Sequence, residues 1–228
     1  YYKNLFDPEM QFIRPRLKNG DWLAPFNPLE TEDSGSWAGS GGPGYVEGNA
    51  WNYTWFVPHD VNGLIKLFGG QEKFIKKLGH CFENGQFTMN NEPDIAYPYL
   101  FTYLPGEENR TQQIVAEIMN IEFKASPDGL PGNDDCGTIS AWFVFSALGF
   151  YPACPASPDY QLGIPLFEKA VIQLDNRYYS GAQFVIEARG RQSINETTKM
   201  ILLNGETISD FQIRHQQIVA GGKLVFEF

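Results

Sequence analysis

The texture of the chain changes near residue 157, and this change limits the possible folds more than any single motif does. Residues 1–156 alternate Gly-, Pro- and Asn-rich loops with helical periodicity, whereas residues 157–228 read as short strands separated by turns. Helices are expected over 60–68, capped by Asp60 and stopped by Gly69-Gly70, and over 71–82, with Phe74, Ile75, Leu78 and Phe82 on one face. Residues 95–103 and 111–123 suggest two more, the second carrying Ile114, Val115, Ile118 and Ile121 at helical spacing. The stretch 138–148 is apolar nearly all round, the pattern of a helix buried on every side. Residues 5–22 read as an extended lead-in, and 27–44 as a long loop of the kind that compact domains keep for function.

Polar residues gather at the helix N-termini, and this loop–helix pattern fits a helical toroid whose loops line a pocket at one end. Only some of the helices that a closed ring needs are visible, so the rest of the ring is expected upstream. Further on, strands are expected over 160–163, 170–174, 183–188, 200–203, 211–213, 217–220 and 223–228, with Asn204-Gly205 and Gly221-Gly222 as tight turns. Short strands at this spacing read as a β-sandwich. The expectation is therefore a mixed fold: part of a helical toroid over 1–156, then C-terminal β-sandwich strands over 157–228.

Composition removes several function classes. A net charge of −10 argues against nucleic acid, whose phosphates need a basic surface, and is compatible with cation binding. No apolar run is long enough to span a membrane. The start lacks an initiator Met and an apolar leader, which suggests a processed chain or an excised piece and leaves the compartment unread. Cys81, Cys136 and Cys154 form neither a zinc pair nor a disulfide framework and are expected as small buried hydrophobes. His59, His80 and His215 lack evident partners and read as structural. Gly39-Ser40-Gly41-Gly42-Pro43-Gly44 lacks the flanking strand and Lys-Ser/Thr of a phosphate loop. Asn52, Asn109 and Asn195 each open an Asn-x-Thr triplet, a weak glycosylation signal. Aromatics reach 15%, which serves core packing and equally suits the C–H faces of sugar rings.

Three clusters carry chemistry. In Gly44-Tyr45-Val46-Glu47-Gly48-Asn49-Ala50-Trp51, a carboxylic acid is hemmed by Trp and Tyr, a setting that raises a carboxyl pKa as a general acid requires. The plainer reading is a Glu near a helix N-terminus, favoured by the helix dipole. In Asn90-Asn91-Glu92-Pro93-Asp94, side-chain oxygens are dense in a stiff turn, which suits a hard cation or, more plainly, a cap. In Asp128-Gly129-Leu130-Pro131-Gly132-Asn133-Asp134-Asp135-Cys136-Gly137, two adjacent carboxylates precede an apolar helix. Neighbouring side chains diverge, so Asp134 and Asp135 are expected to have different jobs, with Asp135 able to activate a water.

Together these segments resemble glycoside hydrolase family 92, the calcium-dependent exo-α-mannosidases. The resemblance runs through Glu47-Gly48-Asn49-Ala50-Trp51-Asn52-Tyr53-Thr54-Trp55-Phe56-Val57-Pro58-His59-Asp60, then Asn91-Glu92-Pro93, then Gly132-Asn133-Asp134-Asp135-Cys136-Gly137, and continues through Ser146-Ala147-Leu148-Gly149-Phe150-Tyr151-Pro152 and Gly163-Ile164-Pro165-Leu166-Phe167. It implies an (α/α)6-type toroid preceded by an N-terminal domain of the same protein, a mannose-containing glycan as substrate, and a periplasmic or secreted setting. It implies inverting hydrolysis, with Glu47 as general acid and Asp135 as general base, and Ca2+ engaging the sugar's hydroxyls with Asn91 and Asp135 as ligands. Trp51, Asn91, Glu92 and Asn133 would line the substrate. Asn133 stands where many members carry a second Asp. Asp94-Ile95-Ala96 replaces a His-rich motif of α-1,2-specific members, which points to another linkage or a modified mannoside. The isolated 228 residues are expected to have little or no activity. The competing readings are a calcium-dependent carbohydrate-binding module and a toroidal glycosidase acting on another sugar.

Overall fold

The computed structural model describes residues 1–31, 41–193 and 196–228, and the chain divides into two units, Tyr1–Tyr97 and Pro98–Phe228. Asn195, one of the glycosylation signals, and much of the 27–44 loop lie outside the described residues.

Aromatic packing organises the first unit. A short antiparallel pair, β1 (Phe6–Asp7) and β2 (Phe12–Ile13), stands where an extended lead-in was expected. It is followed by α1 (Ala50–Thr54), α2 (Val61–Leu67) and α3 (Gln71–Glu83). Asp60 caps α2 as expected, accepting from the Gly63 N–H at 2.9 Å. Trp55 stacks on Phe68 at 5.4 Å, and Phe74 meets both rings edge-on, with all three side chains buried. Burial of each such ring contributes roughly 1.5–3 kcal/mol. Thr54 ties α1 to β2: its hydroxyl accepts from the Ile13 N–H at 3.0 Å and donates to the Ala50 carbonyl at 2.6 Å.

The helix expected over 95–103 is present as a 3-10 helix, Tyr97–Tyr103. Pro98 stands in its first turn, where a missing N–H costs nothing.

The second unit holds α4 (Glu108–Ile121) and α5 (Thr138–Leu148), then the strands. β3 (Phe150–Tyr151), β4 (Asp159–Leu162) and β9 (Gln212–Arg214) form an antiparallel sheet in the order β3-β4-β9. The second sheet has the order β5-β6-β10-β7-β8, from Lys169–Gln173, Gln183–Arg189, Gly222–Glu227, Met200–Leu203 and Glu206–Thr207. Within it β10 runs parallel to β6 and antiparallel to β7. Asn204 and Gly205, both at positive φ (54° and 90°), make the tight β7–β8 turn that the sequence signals. Gln112, fully buried, donates to the Gly163 carbonyl and exchanges hydrogen bonds with Thr198, tying α4 to the loops beside the sheets.

Two expectations are corrected here. Residues 217–220, read as a strand, are the end of the helix α6 (His215–Val219) and its C-cap, Ala220. The Gln217 side chain accepts from the Arg214 N–H at 2.7 Å, which starts a helix, and only Ile218 within it is buried. The apolar helix α5 is not buried all round: Ile139, Trp142, Ser146 and Ala147 face inward, while Val144 is 57% exposed.

Candidate active site

Glu47 lies two residues ahead of Asn49, the N-cap of α1. The turn that carries it is closed by Gly42 N–H to the Gly48 carbonyl and Tyr45 N–H to the Gly42 carbonyl, both at 2.8 Å. Tyr45 anchors it to β2 through its hydroxyl, which donates to the Ile13 carbonyl at 2.6 Å, and stacks on Tyr53. The Tyr53 hydroxyl donates in turn to the Val46 carbonyl. Glu47 itself adopts φ +55°, the left-handed region, at a cost of roughly 1–2 kcal/mol for a residue with a Cβ. Such strain persists only where the surroundings over-determine it. Here the Asn91 side chain donates to the Glu47 carbonyl at 2.8 Å. The Glu47 side chain is exposed, so the apolar enclosure expected from its aromatic neighbours is not built around it in this unit. Its charge does reach Tyr53, whose phenol is pushed up first by burial and then by Glu47 and Asp94.

The Asn91–Asp94 turn is stiffened by its own contacts: Asn91 Oδ1 accepts from the Glu92 N–H at 3.0 Å, and the Asp94 N–H donates to the Asn91 carbonyl at 3.2 Å. Asp94 is fully buried. Asn52 Nδ2 donates to its two oxygens at 3.1 and 2.9 Å, and Thr88 adds its N–H at 3.1 Å and its hydroxyl at 3.2 Å. Burial raises its pKa to about 6, against the pull of the Thr88 and Asn52 donors. Glu92 Oε1 is buried with no hydrogen-bond partner. An orphaned carboxylate oxygen among the described residues, in the same turn as Asn91, has the chemistry to accept a hard cation or a sugar hydroxyl. No group of three or more His, Cys, Asp and Glu that could hold a metal comes together among the described residues, so such a cation would draw largely on carbonyl, amide and water oxygens.

The second cluster belongs to the other unit. Asp134 is committed to structure: Oδ1 accepts from the Ser140 N–H and Oδ2 from the Ser140 hydroxyl, both at 2.7 Å, at the first turn of α5. Those bonds, the hydroxyl's foremost, hold its carboxyl below the usual range. Asp135 lies in the 3-10 turn Asp135–Gly137, exposed, with only its backbone carbonyl engaged, by the Thr138 hydroxyl at 2.8 Å. The two carboxylates thus have different surroundings, and the Asp135 side chain is the exposed one. Cys136 next to it sits at φ +55° and is exposed, which corrects the expectation of three buried cysteines; Cys81 alone is fully buried.

The structure brings Glu47, Asn91 and Glu92 together in the first unit and leaves Asn133 exposed beside Asp135 in the second. Trp51 departs from expectation. It is 6% exposed, meets Phe12 edge-on at 4.9 Å and stacks on His80 at 5.5 Å, which makes it a packing support beneath α1. The sequence reading missed Asn52 and Thr88, and took Asp94 only as a possible ligand or cap. The spacing of Asn49 and Asn52, a capping pair, was the available signal for Asn52.

Comparison with known proteins agrees with the sequence. Residues 1–228 match the glycosyl hydrolase family 92 catalytic domain. Over 225 residues the chain is 27% identical to a protein of Arthroderma benhamiae described as an uncharacterized secreted glycosidase, covering 93% of this chain and 27% of that protein. The fold is similar to a family GH92 alpha-mannosidase from Bacteroides thetaiotaomicron, also solved with mannoimidazole, at TM-score 0.84, 32% identity, and 99% and 29% coverage of the two chains. It is also similar to a family GH92 inverting mannosidase from Bacteroides thetaiotaomicron, at TM-score 0.84, 30% identity, and 99% and 32% coverage. The chain spans less than a third of the length of each of these relatives. With its whole length inside the family match, this chain belongs to glycosyl hydrolase family 92.

Proposed function

We propose that the protein hydrolyses terminal α-mannosidic bonds with inversion, with Glu47 as general acid and Asp135 as general base. The observation that carries the assignment is the contrast between two bonded carboxylates and two exposed ones in the three clusters. Asp94 and Asp134 are consumed by internal hydrogen bonds, whereas the Glu47 and Asp135 side chains are exposed. Inversion needs one carboxyl to protonate the leaving oxygen and another to take a proton from the attacking water. Glu47 is held by its backbone, so its carboxyl is free to deliver a proton. Asp135 is at the head of α5 in a turn that Asp134 fixes. Family membership and the mannosidase names of two structural neighbours support the substrate class.

Calcium, held with Asn91 and Asp135, would supply a hard charge for the sugar's hydroxyls; Glu92 and Asn133 would hydrogen-bond the substrate. An upstream domain of the same protein, with the remaining toroid helices, would complete the enzyme, and a secreted or periplasmic setting fits the secreted relative. The test is release of mannose from a panel of α-mannobiosides by the longest form of the protein, with calcium and then with a chelator. Chelator-sensitive release supports the reading and identifies the linkage. No release by a folded protein with calcium present overturns it in favour of a carbohydrate-binding module or a different sugar.

A further inference from the structure

We propose that Asp94, which touches no exposed surface, is the positioning residue that holds the Glu47 turn in place by dictating the orientation of the Asn52 side-chain amide. The inference deepens the reading above and rests on it for Glu47's role. Asp94 is fully buried, and no Lys, Arg or His pairs with it among the described residues. A buried carboxylate without a counter-charge is costly and persists where its acceptors have a defined task. Here the task is visible. An ionised carboxylate only accepts, so Asn52 must present Nδ2 to it, as it does at 3.1 and 2.9 Å. That leaves Asn52 Oδ1 facing the Asn49 N–H, which it accepts at 2.8 Å. Asn49, so fixed, caps α1 through its own Oδ1 on the Trp51 N–H at 2.9 Å. The same 88–94 segment grips Glu47 directly through Asn91 at 2.8 Å. The left-handed Glu47 backbone is therefore held at its own carbonyl and again through Asn49 two residues on. The groups facing Asp94 from the surrounding elements are Thr88, Asn52, Tyr97, Tyr53 and Cys81, none of them cationic, so no competing salt bridge explains its retention.

The test uses the longest form of the protein with Asp94→Asn, and with the double exchange Asn52→Asp/Asp94→Asn, which restores one carboxylate opposite one amide. Asp94→Asn is expected to lower kcat on an α-mannobioside by at least about tenfold with little change in KM. An activated aryl α-mannoside, whose leaving group needs little protonation, is expected to lose much less. The double exchange is expected to recover most of the loss, to within about threefold of the parent. Equal losses on both substrates, or no recovery in the double exchange, overturn the proposal, because a general loss of folding produces that result. Hydrogen exchange supplies a readout that needs no turnover. Asp94→Asn is expected to speed exchange of the amides of residues 46–52 by about tenfold and to leave those of α3 unchanged. Unchanged exchange over 46–52 overturns the proposal. If the parent protein releases no mannose, the functional reading fails, and the exchange result alone decides whether Asp94 positions this turn.

Discussion

The Asn91 side-chain amide donates to the Glu47 main-chain carbonyl at 2.8 Å, so two residues 44 apart in sequence define one turn. Both have been named as functional, yet the bond between them uses the backbone of Glu47 and leaves its carboxyl unengaged. Asn91→Asp removes the donor and places an acceptor against an acceptor. The expected result is a loss of roughly 1–3 kcal/mol of stability, from an unpaired and repelled carbonyl, and a fall in turnover larger than the unfolded fraction explains. Chemical denaturation and kcat measured on the same sample check this. A turnover loss fully accounted for by unfolding means that Asn91 is only a fastening.

Asp134 and Asp135 make a sharper contrast. Asp134→Asn removes the charge from the acceptor of the Ser140 N–H and hydroxyl at the head of α5, and is expected to lower the melting midpoint. The Asp134 carboxyl is held below its usual range by the Ser140 bonds, so its stabilisation is present above the ordinary Asp range and lost as pH falls through its depressed pKa. Asp135→Asn is expected to leave the melting midpoint nearly unchanged and to lower turnover by about 100-fold or more, the usual worth of a general base. Reversed effects, with stability residing in Asp135 and turnover in Asp134, would exchange their assignments.

Gly48 packs closely against Asn52. A Cβ at this position would meet Asn52 Oδ1 at 2.9 Å and the Asn52 Cβ and Cγ at 3.2 Å. The neighbour cannot swing away without giving up the Asn49 N–H or the Asp94 carboxylate. Gly48→Ala is therefore expected to cost roughly 1–3 kcal/mol and to disturb Glu47 together with the cap. A crystal structure of the variant checks it. An undisturbed Asn52 with wild-type stability would show that the turn has more slack than its contacts imply.

What the sequence disclosed, and what it withheld, follows from the range of the forces involved. Helix α5 was legible to the residue because Gly137 and Gly149 bracket an unbroken run of helix formers and apolar residues, a local signal. The Asn204-Gly205 turn was legible because both positions adopt positive φ, which few residue pairs tolerate. The outward face of α5 was misread because periodicity reports where a side chain can be buried, not what covers it. Glu47 and Asp135 are named from motifs. The contacts around the Glu47 turn were not legible, because Asp94 bonds Asn52 across 42 residues, and no spacing rule links them. The contacts of Trp51 to Phe12 and His80 depend on tertiary packing, and no local spacing discloses them.

The buried carboxylate also gives the pH dependence a definite sign. Asp94 has a folded pKa of about 6 against an ordinary value of 3.8, so between those values the folded protein holds a proton that the unfolded chain has released. Its contribution is fully present below the lower value and is lost as pH rises through about 6, by roughly 3 kcal/mol. Asp7 behaves oppositely. Burial pulls its pKa up, but the N–H groups of Met10 and Glu9 and the Arg14 guanidinium, paired at 2.9 Å, bring it below the usual range. Its contribution is lost as pH falls through that depressed value. Stability of the first unit is therefore expected to fall as pH rises from about 4 to about 7, with Asp94 the largest identified cause. Asp94→Asn removes the titration and should flatten the curve over that range, whatever it does to stability at a single pH. Denaturation midpoints measured at intervals from pH 4 to pH 7 on both proteins check this. If the two curves run parallel, the native carboxyl titrates like an exposed one, and the burial assigned to Asp94 is not what the protein has in solution.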